Sequence, residues 1–206
     1  MSDSAVATDV AATAIVEGVA AERYALAPHF LPPGAVTALR GRAEALDAAG
    51  HFAPARTGRG AAREVRAAVR GDRIAWIDTA AGEDAERPLL AALERLRENA
   101  NRELALGLFD LELHYAIYPA GAGYARHMDR FRDDDARVLS FVLYLNAGWT
   151  AADGGALTLD VAPQCSVAVL PVAGTLVAFL SERVAHAVQP ARRARYSIAG
   201  WFRRRS

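Results

Sequence analysis

Two histidines, one aspartate and one arginine carry the chemistry this chain can offer: His127 and Asp129 one residue apart, then His186, then Arg195 nine residues beyond it. Two imidazoles and one carboxylate make a facial metal site with positions left open, the donor set that suits Fe(II) when a chelating co-substrate and dioxygen must bind together. A guanidinium shortly after the second histidine supplies an anchor for a carboxylate on that co-substrate. His-x-Asp alone is a weak signal that a surface ion pair would also satisfy. The full order of His-x-Asp, a long β-patterned stretch, His and Arg is far more specific.

Strand phase selects among the candidates. Residues i and i+2 of a strand share a face, so a strand through 127–129 would aim both His127 and Asp129 into one barrel, with His186 closing the triad from across it. In RYSIAGWF, Arg195, Ser197, Ala199 and Trp201 share the inward phase; Tyr196, Ile198 and Phe202 share the other. A charged residue in phase with Ala199 and Trp201 needs a partner, which a bound carboxylate provides. Arg192 and Arg193 compete for that role, but they fall in the preceding turn. Tyr144, in SFVLYLN, could offer its hydroxyl to the same carboxylate or pack as an ordinary core tyrosine.

The elements that must position these groups fall in two halves. A short amphipathic helix is expected over 9–21, a strand from Tyr24 to Phe30, and a helix opened by Pro32-Pro33-Gly34 that runs to about residue 49. The strongest helical period spans 85–105, with Leu89, Leu90, Leu93, Leu96 and Leu104 in one stripe. Residues 54–71 are rich in Gly and Arg and read as a loop, followed by a strand from Ile74 to Ile77. From 109 the period changes to two, with strands expected at 110–118, 123–127, 137–145, 156–162, 164–170, 174–180, 184–189 and 195–203. The expected class is α+β: one domain over 1–206, with 1–108 a mostly helical support and 109–206 a sandwich or small barrel of the jelly-roll kind.

Composition excludes little but narrows the partners. Basic and acidic residues balance at 24 each, so no global field recruits nucleic acid or an anionic membrane. Every basic residue is Arg, which weakens any inference from arginine enrichment. The single cysteine, Cys165, lies in an apolar run and is expected to be a small buried side chain, with no disulfide framework possible. The acidic, Ala-rich N-terminus does not read as a signal peptide, no apolar run reaches membrane-spanning length, and a cytoplasmic monomer is the default.

Four stretches, in order, carry a family resemblance: RGDRIAWID, YPAGAGYARHMD, LYLNAGW with the following GGALTL, and HAVQPARRARYSIAGWF. The chain resembles the Fe(II)/2-oxoglutarate-dependent prolyl hydroxylases of the prolyl hydroxylase-domain type, over about residues 70–203. The resemblance implies a double-stranded β-helix with N-terminal supporting helices. It implies Fe(II) on His127, Asp129 and His186, and 2-oxoglutarate paired with Arg195, assisted by Tyr144 and lined by Tyr118, Val142, Leu157 and Trp201. The segment before Ile74 would be the finger loop that closes over a protein substrate. Two positions depart from the family: Ala199 replaces a hydroxyl residue, and His114 replaces an apolar one. His114 shares a strand face with Tyr118 and stands either as a satisfied barrel histidine or as a group facing the pocket.

The function so implied is a protein prolyl 4-hydroxylase consuming Fe(II), 2-oxoglutarate and dioxygen, with ascorbate as a reductant. Its partner would be a protein carrying a target proline, for which a translation elongation factor of the Tu type is an analogy-based candidate. Asp134 with Arg130 and Arg132 could touch substrate, although a solvated turn is the simpler reading. The rivals are a hydroxylase of a free amino acid or small metabolite, a nucleic-acid oxidative demethylase, and a non-catalytic jelly-roll sensor or binding module. RGDRIAWID favours a polypeptide over a small metabolite. Trp201, where demethylases carry a second Arg, disfavours nucleic acid.

Overall fold

The computed structural model describes residues 3–58, 64–129 and 136–205. Helix α1 (Asp3–Glu22) leads into β1 (Tyr24–Ala27), α2 (Pro33–Ala48), β2 (Ala53–Pro54), β3 (Arg73–Trp76) and α3 (Arg87–Leu104). The β-rich half follows as β4 (Asp110–Tyr118), β5 (Tyr124–His127), β6 (Arg137–Tyr144), β7 (Leu157–Ala162), β8 (Cys165–Val169), β9 (Leu176–Leu180), β10 (Ala185–Val188) and β11 (Arg195–Arg203). The strands form two antiparallel sheets. The larger has the order β1-β9-β6-β11-β4-β3-β2, and the smaller β5-β10-β7-β8. This is the jelly-roll kind of sandwich expected from the strand pattern, in the double-stranded β-helix form that the resemblance implies.

The alternation along β11 shows how one strand serves two compartments. Ile198 and Phe202 face outward, into a core shared with Ile15 and Val19 of α1, Leu39 of α2, and Leu89, Leu93 and Leu96 of α3. Each of these leucines is fully buried, a contribution of roughly 2 kcal/mol apiece by apolar transfer. The opposite face of the larger sheet looks toward the smaller one, where Tyr144, Val177 and Phe179 meet Leu157, Leu159 and Val188 in a second core. The helices thus brace the larger sheet from behind, and its other face is left for the site.

Local chemistry fixes the helix ends. Pro32 precedes α2, whose first residue is also a proline, so no intrahelical donor is lost. Helix α3 stops where Ala105 turns left-handed (φ 51°) and its N–H caps Asn101. The Asn101 side chain then exchanges two hydrogen bonds with the Leu108 backbone (2.8 and 2.7 Å), turning the chain into β4.

Three expectations change. Helix α1 starts well before residue 9, at Asp3, in a stretch that carries no amphipathic signal. The N-terminal half is not only support: β1, β2 and β3 are strands of the larger sheet, added at its two ends. Cys165 is exposed, not buried. It opens β8, an edge strand, and pairs with Ala162 beyond a register shift at the hairpin end, so its apolar neighbours in sequence do not cover it. Residues 59–63 of the expected loop, and Arg130, Arg132 and Asp134, lie outside the described residues.

Candidate metal and co-substrate site

His127 and His186 sit directly opposite each other on neighbouring strands, β5 and β10 of the smaller sheet. His186 therefore does not reach across the barrel; it is the cross-strand neighbour, with ring centroids 4.2 Å apart. Strand β5 ends at His127, so Asp129 is placed by a bend and not by strand phase. Ser140, on β6 of the larger sheet, donates to Asp129 Oδ2 (2.7 Å) and is hydrogen-bonded in turn to Ser181 (2.8 Å). The Ser140 hydroxyl of the facing sheet, itself backed by Ser181, thus holds the carboxylate over the histidine pair.

One donor atom from each of His127, Asp129 and His186 lies within 4.8 Å of the others. The Nε2 atoms approach Asp129 at 3.5 Å (His127) and 3.6 Å (His186). Each Nδ1 faces a backbone carbonyl: Ala125 at 2.9 Å for His127, Val184 at 3.3 Å for His186. A carbonyl only accepts, so each Nδ1 carries the proton and each Nε2 keeps its lone pair for an ion. Burial pushes the His186 pKa down, which favours the neutral, ligating form. Burial alone would raise the Asp129 carboxyl, but His186, His127 and the Ser140 hydroxyl outweigh it and hold it well below the usual range. The donor set, its tautomers and its charge suit a divalent ion.

These groups open into a cavity of about 720 Å³ that also exposes Tyr118, Val142, Leu157, Arg195 and Trp201. Tyr144 is the exception among the expected lining residues. It is fully buried beneath the cavity wall, with its ring 5.0 Å from the Arg195 guanidinium. Burial pushes its hydroxyl pKa up to about 12, so it stays a donor. Arg195 is 1% exposed, held by the Gly155 carbonyl (3.1 Å) and the Ser197 hydroxyl (3.3 Å) between the Tyr118 and Tyr144 rings.

The fit to a dicarboxylate rests on atoms left unsatisfied. Among the described residues, five buried side-chain polar atoms lack a hydrogen bond, and three belong to Arg195 (Nη2), Tyr144 (Oη) and Trp201 (Nε1). The other two, on Arg42 and Arg95, lie 3.9 and 3.2 Å from carboxylates. Arg195 and Tyr144 lie side by side, with no anion paired to Arg195 among the described residues, and a bound carboxylate would remove the cost of these two unsatisfied donors. His114 is buried in the same wall, its Nδ1 donating to the Tyr115 carbonyl (3.2 Å) and its ring packed against Trp76 and Trp201. It is both satisfied and cavity-facing. Burial lowers its pKa to about 4.

Several contributors were missed by sequence reasoning. Tyr124 stacks on His127 (3.6 Å), and Arg70 lies over Tyr124 (4.9 Å) while forming a two-pronged pair with Asp72 (2.8 and 2.9 Å). Ser140 was legible in hindsight: it is the polar residue in phase with Val142 and Tyr144 on an apolar strand. The Arg70–Asp72 pair had no local signal beyond its place in RGDRIAWID.

The 2OG-Fe(II) oxygenase superfamily model matches residues 113–203. Human Egl nine homolog 1 is 32% identical over 143 residues, covering 65% of this chain and 33% of that protein, so the match spans about a third of its length; the rat protein is 31% identical over 141 residues. A crystal structure of a Pseudomonas putida prolyl-4-hydroxylase superposes with a TM-score of 0.86 at 46% identity, covering 95% of this chain and 100% of that one. A Trichoplax adhaerens prolyl hydroxylase, solved with a hypoxia inducible factor peptide fragment, gives 0.84 at 27% identity, covering 95% and 90%. With the triad, the sheet order and these likenesses in agreement, the chain belongs to the prolyl 4-hydroxylase family of 2OG-Fe(II) oxygenases.

Proposed function

We propose that this protein hydroxylates C4 of a prolyl residue within a protein substrate, using Fe(II), 2-oxoglutarate and dioxygen. The observation that carries the reading is the buried, unpaired edge of Arg195 in the same cavity as the His127–Asp129–His186 cluster. In that reading His127 and His186 offer Nε2, and Asp129 offers a carboxylate oxygen. Arg195 and the Tyr144 hydroxyl bind the distal carboxylate of 2-oxoglutarate, which turns its 2-oxo acid end toward the triad. Leu157, Val142 and Tyr118 wall the co-substrate from water, and Trp201 borders the side from which a prolyl ring would enter. Bound iron with 2-oxoglutarate and dioxygen supplies the oxidising power for an unactivated C–H bond, with succinate and carbon dioxide as co-products.

A polypeptide substrate is supported by the cavity's open flank. Pro54, Arg56, Thr57 and Arg70 from the segment before β3, together with the half-exposed Trp76, border it. Ascorbate would restore iron that oxidises between turnovers. A translation elongation factor of the Tu type is the first protein to test, on analogy alone.

The test has two parts. Anaerobic addition of Fe(II) and 2-oxoglutarate should give a visible charge-transfer band that His127→Ala abolishes. Mass spectrometry of the host proteome, with and without the gene, should then show one prolyl residue losing the mass of a single oxygen atom. A missing band sinks the metal site; a band with turnover on free proline and none on protein moves the reading to a small-metabolite hydroxylase.

A further inference from the structure

The LNAGW and GGALTL stretches, and the arginines beside Arg195, meet in one structure on the outer side of the anchor. Trp149 is buried, and its indole N–H donates to the Gly154 carbonyl (2.9 Å). The next carbonyl, of Gly155, accepts from Arg195 Nε (3.1 Å). Gly155 has φ +70°, and a Cβ there would lie 2.9 Å from Ala191 Cβ and 3.2 Å from the Trp149 ring. The indole is therefore one wall of the slot that sets where the Gly155 carbonyl points.

Arg193 closes the slot from outside. Its guanidinium lies 4.3 Å over the Trp149 ring, bonds to Asp153 (3.0 and 3.4 Å) and donates to the Gly148 carbonyl (3.0 Å). Asp153 also accepts from the Thr150 N–H (2.8 Å) and hydroxyl (3.0 Å). One surface cation thus clips both ends of the 148–155 loop around an indole that touches the anchor's own hydrogen-bond acceptor.

We propose that Trp149 and Arg193 are positioning residues for Arg195: by fixing the Gly155 carbonyl they aim the unpaired edge of the guanidinium into the cavity, and so set the preference for a dicarboxylate 2-oxo acid over a monocarboxylate one. The inference deepens the proposed function and rests on Arg195 as the anchor. The physical reason is that a long arginine side chain has many rotamers, and a guanidinium binds a carboxylate through two parallel bonds only when its plane is pre-set. Trp149 and Arg193 touch no part of the cavity themselves; they act through the loop.

The test compares Mn(II)-loaded protein titrated calorimetrically with 2-oxoglutarate and with 2-oxopentanoate, which lacks the distal carboxylate. Trp149→Phe keeps an aromatic side chain but deletes the N–H and the outer part of the indole that walls Gly155. Arg193→Gln removes the cation at a site that is 44% exposed, so it folds even where the indole variant does not. The loss of one well-placed hydrogen bond predicts a roughly three- to tenfold fall in 2-oxoglutarate affinity. Affinity for 2-oxopentanoate and for Mn(II) should stay unchanged, and Arg193→Lys should recover part of the loss. Equal weakening of both acids, or none of either, overturns the positioning role. A parent protein that does not discriminate the two acids at all overturns the anchor instead, and with it the reading on which this one rests.

Discussion

Two arginines wall the same cavity, one part-buried and one fully buried, and they are treated in opposite ways. Arg70 is gripped by Asp72 through two parallel bonds, with the carboxylate wholly buried. Arg195 is buried more deeply still, at 1% exposure, but is held by neutral groups, a carbonyl, a hydroxyl and two phenol rings. A charge with a covalently tethered counter-ion is finished; nothing diffusible can compete for it. A charge held by dipoles alone is oriented but not neutralised, and it keeps most of its attraction for an anion that arrives from solution. The pairing partner, more than the residue type or its burial, separates a structural arginine from a ligand-binding one.

The contrast can be broken from either side. Asp72→Ala should strand a buried cation and cost about 3–5 kcal/mol of stability, seen as a large fall in the urea midpoint. Arg195→Met should do the reverse in the ligand-free protein, leaving the urea midpoint equal or higher. The same substitution should lower 2-oxoglutarate affinity by roughly a hundredfold, since charge-assisted bonds are worth about 1.5–3 kcal/mol each; a variant that binds normally would make Arg195 another structural cation.

His114 sharpens the comparison as a third basic group that stays uncharged. Its pKa falls to about 4 through burial, against the ordinary 6.5. Between those values the unfolded chain binds the proton that the folded chain refuses. Stability should therefore decline as pH drops from 6.5 toward 4, by up to about 3 kcal/mol at 1.36 kcal/mol per unit. Thermal unfolding of His114→Phe over that window should show a shallower decline; an identical slope would assign the loss to other groups. The smallest effect belongs to Ser197→Ala, which deletes one long bond (3.3 Å) from Arg195 to a neutral acceptor and should cost about 1 kcal/mol, measured as a modest drop in 2-oxoglutarate affinity.

What the sequence made legible follows from what is local. The eight strands after residue 109 were readable from their period, and Arg195, Ser197, Ala199 and Trp201 do share the cavity face of β11. The joining of β1 to β9 and of β3 to β4 was not readable, because pairing between distant segments leaves no local pattern. Asp129 reached the right neighbours by a bend and a hydroxyl relay instead of the strand phase expected for it. Tyr144 does lie against Arg195, yet period alone could not tell a wall residue from one just beneath the wall. The exposure of Cys165 depends on β8 lying at an edge, a property of sheet order.

The triad straddles the seam of the sandwich. Both imidazoles hang from the smaller sheet, while the carboxylate is tethered to Ser140 of the larger one. An ion held by all three is a rivet through two plates. Sliding one sheet past the other would stretch the carboxylate's tether or pull it off the metal, so loading should stiffen the whole sandwich against shear, well beyond the rim of the cavity. The same rivet makes the bite of the ligands a gauge of how the sheets sit, so a cavity-filling change deep between them would be felt at the iron without touching any residue that binds it.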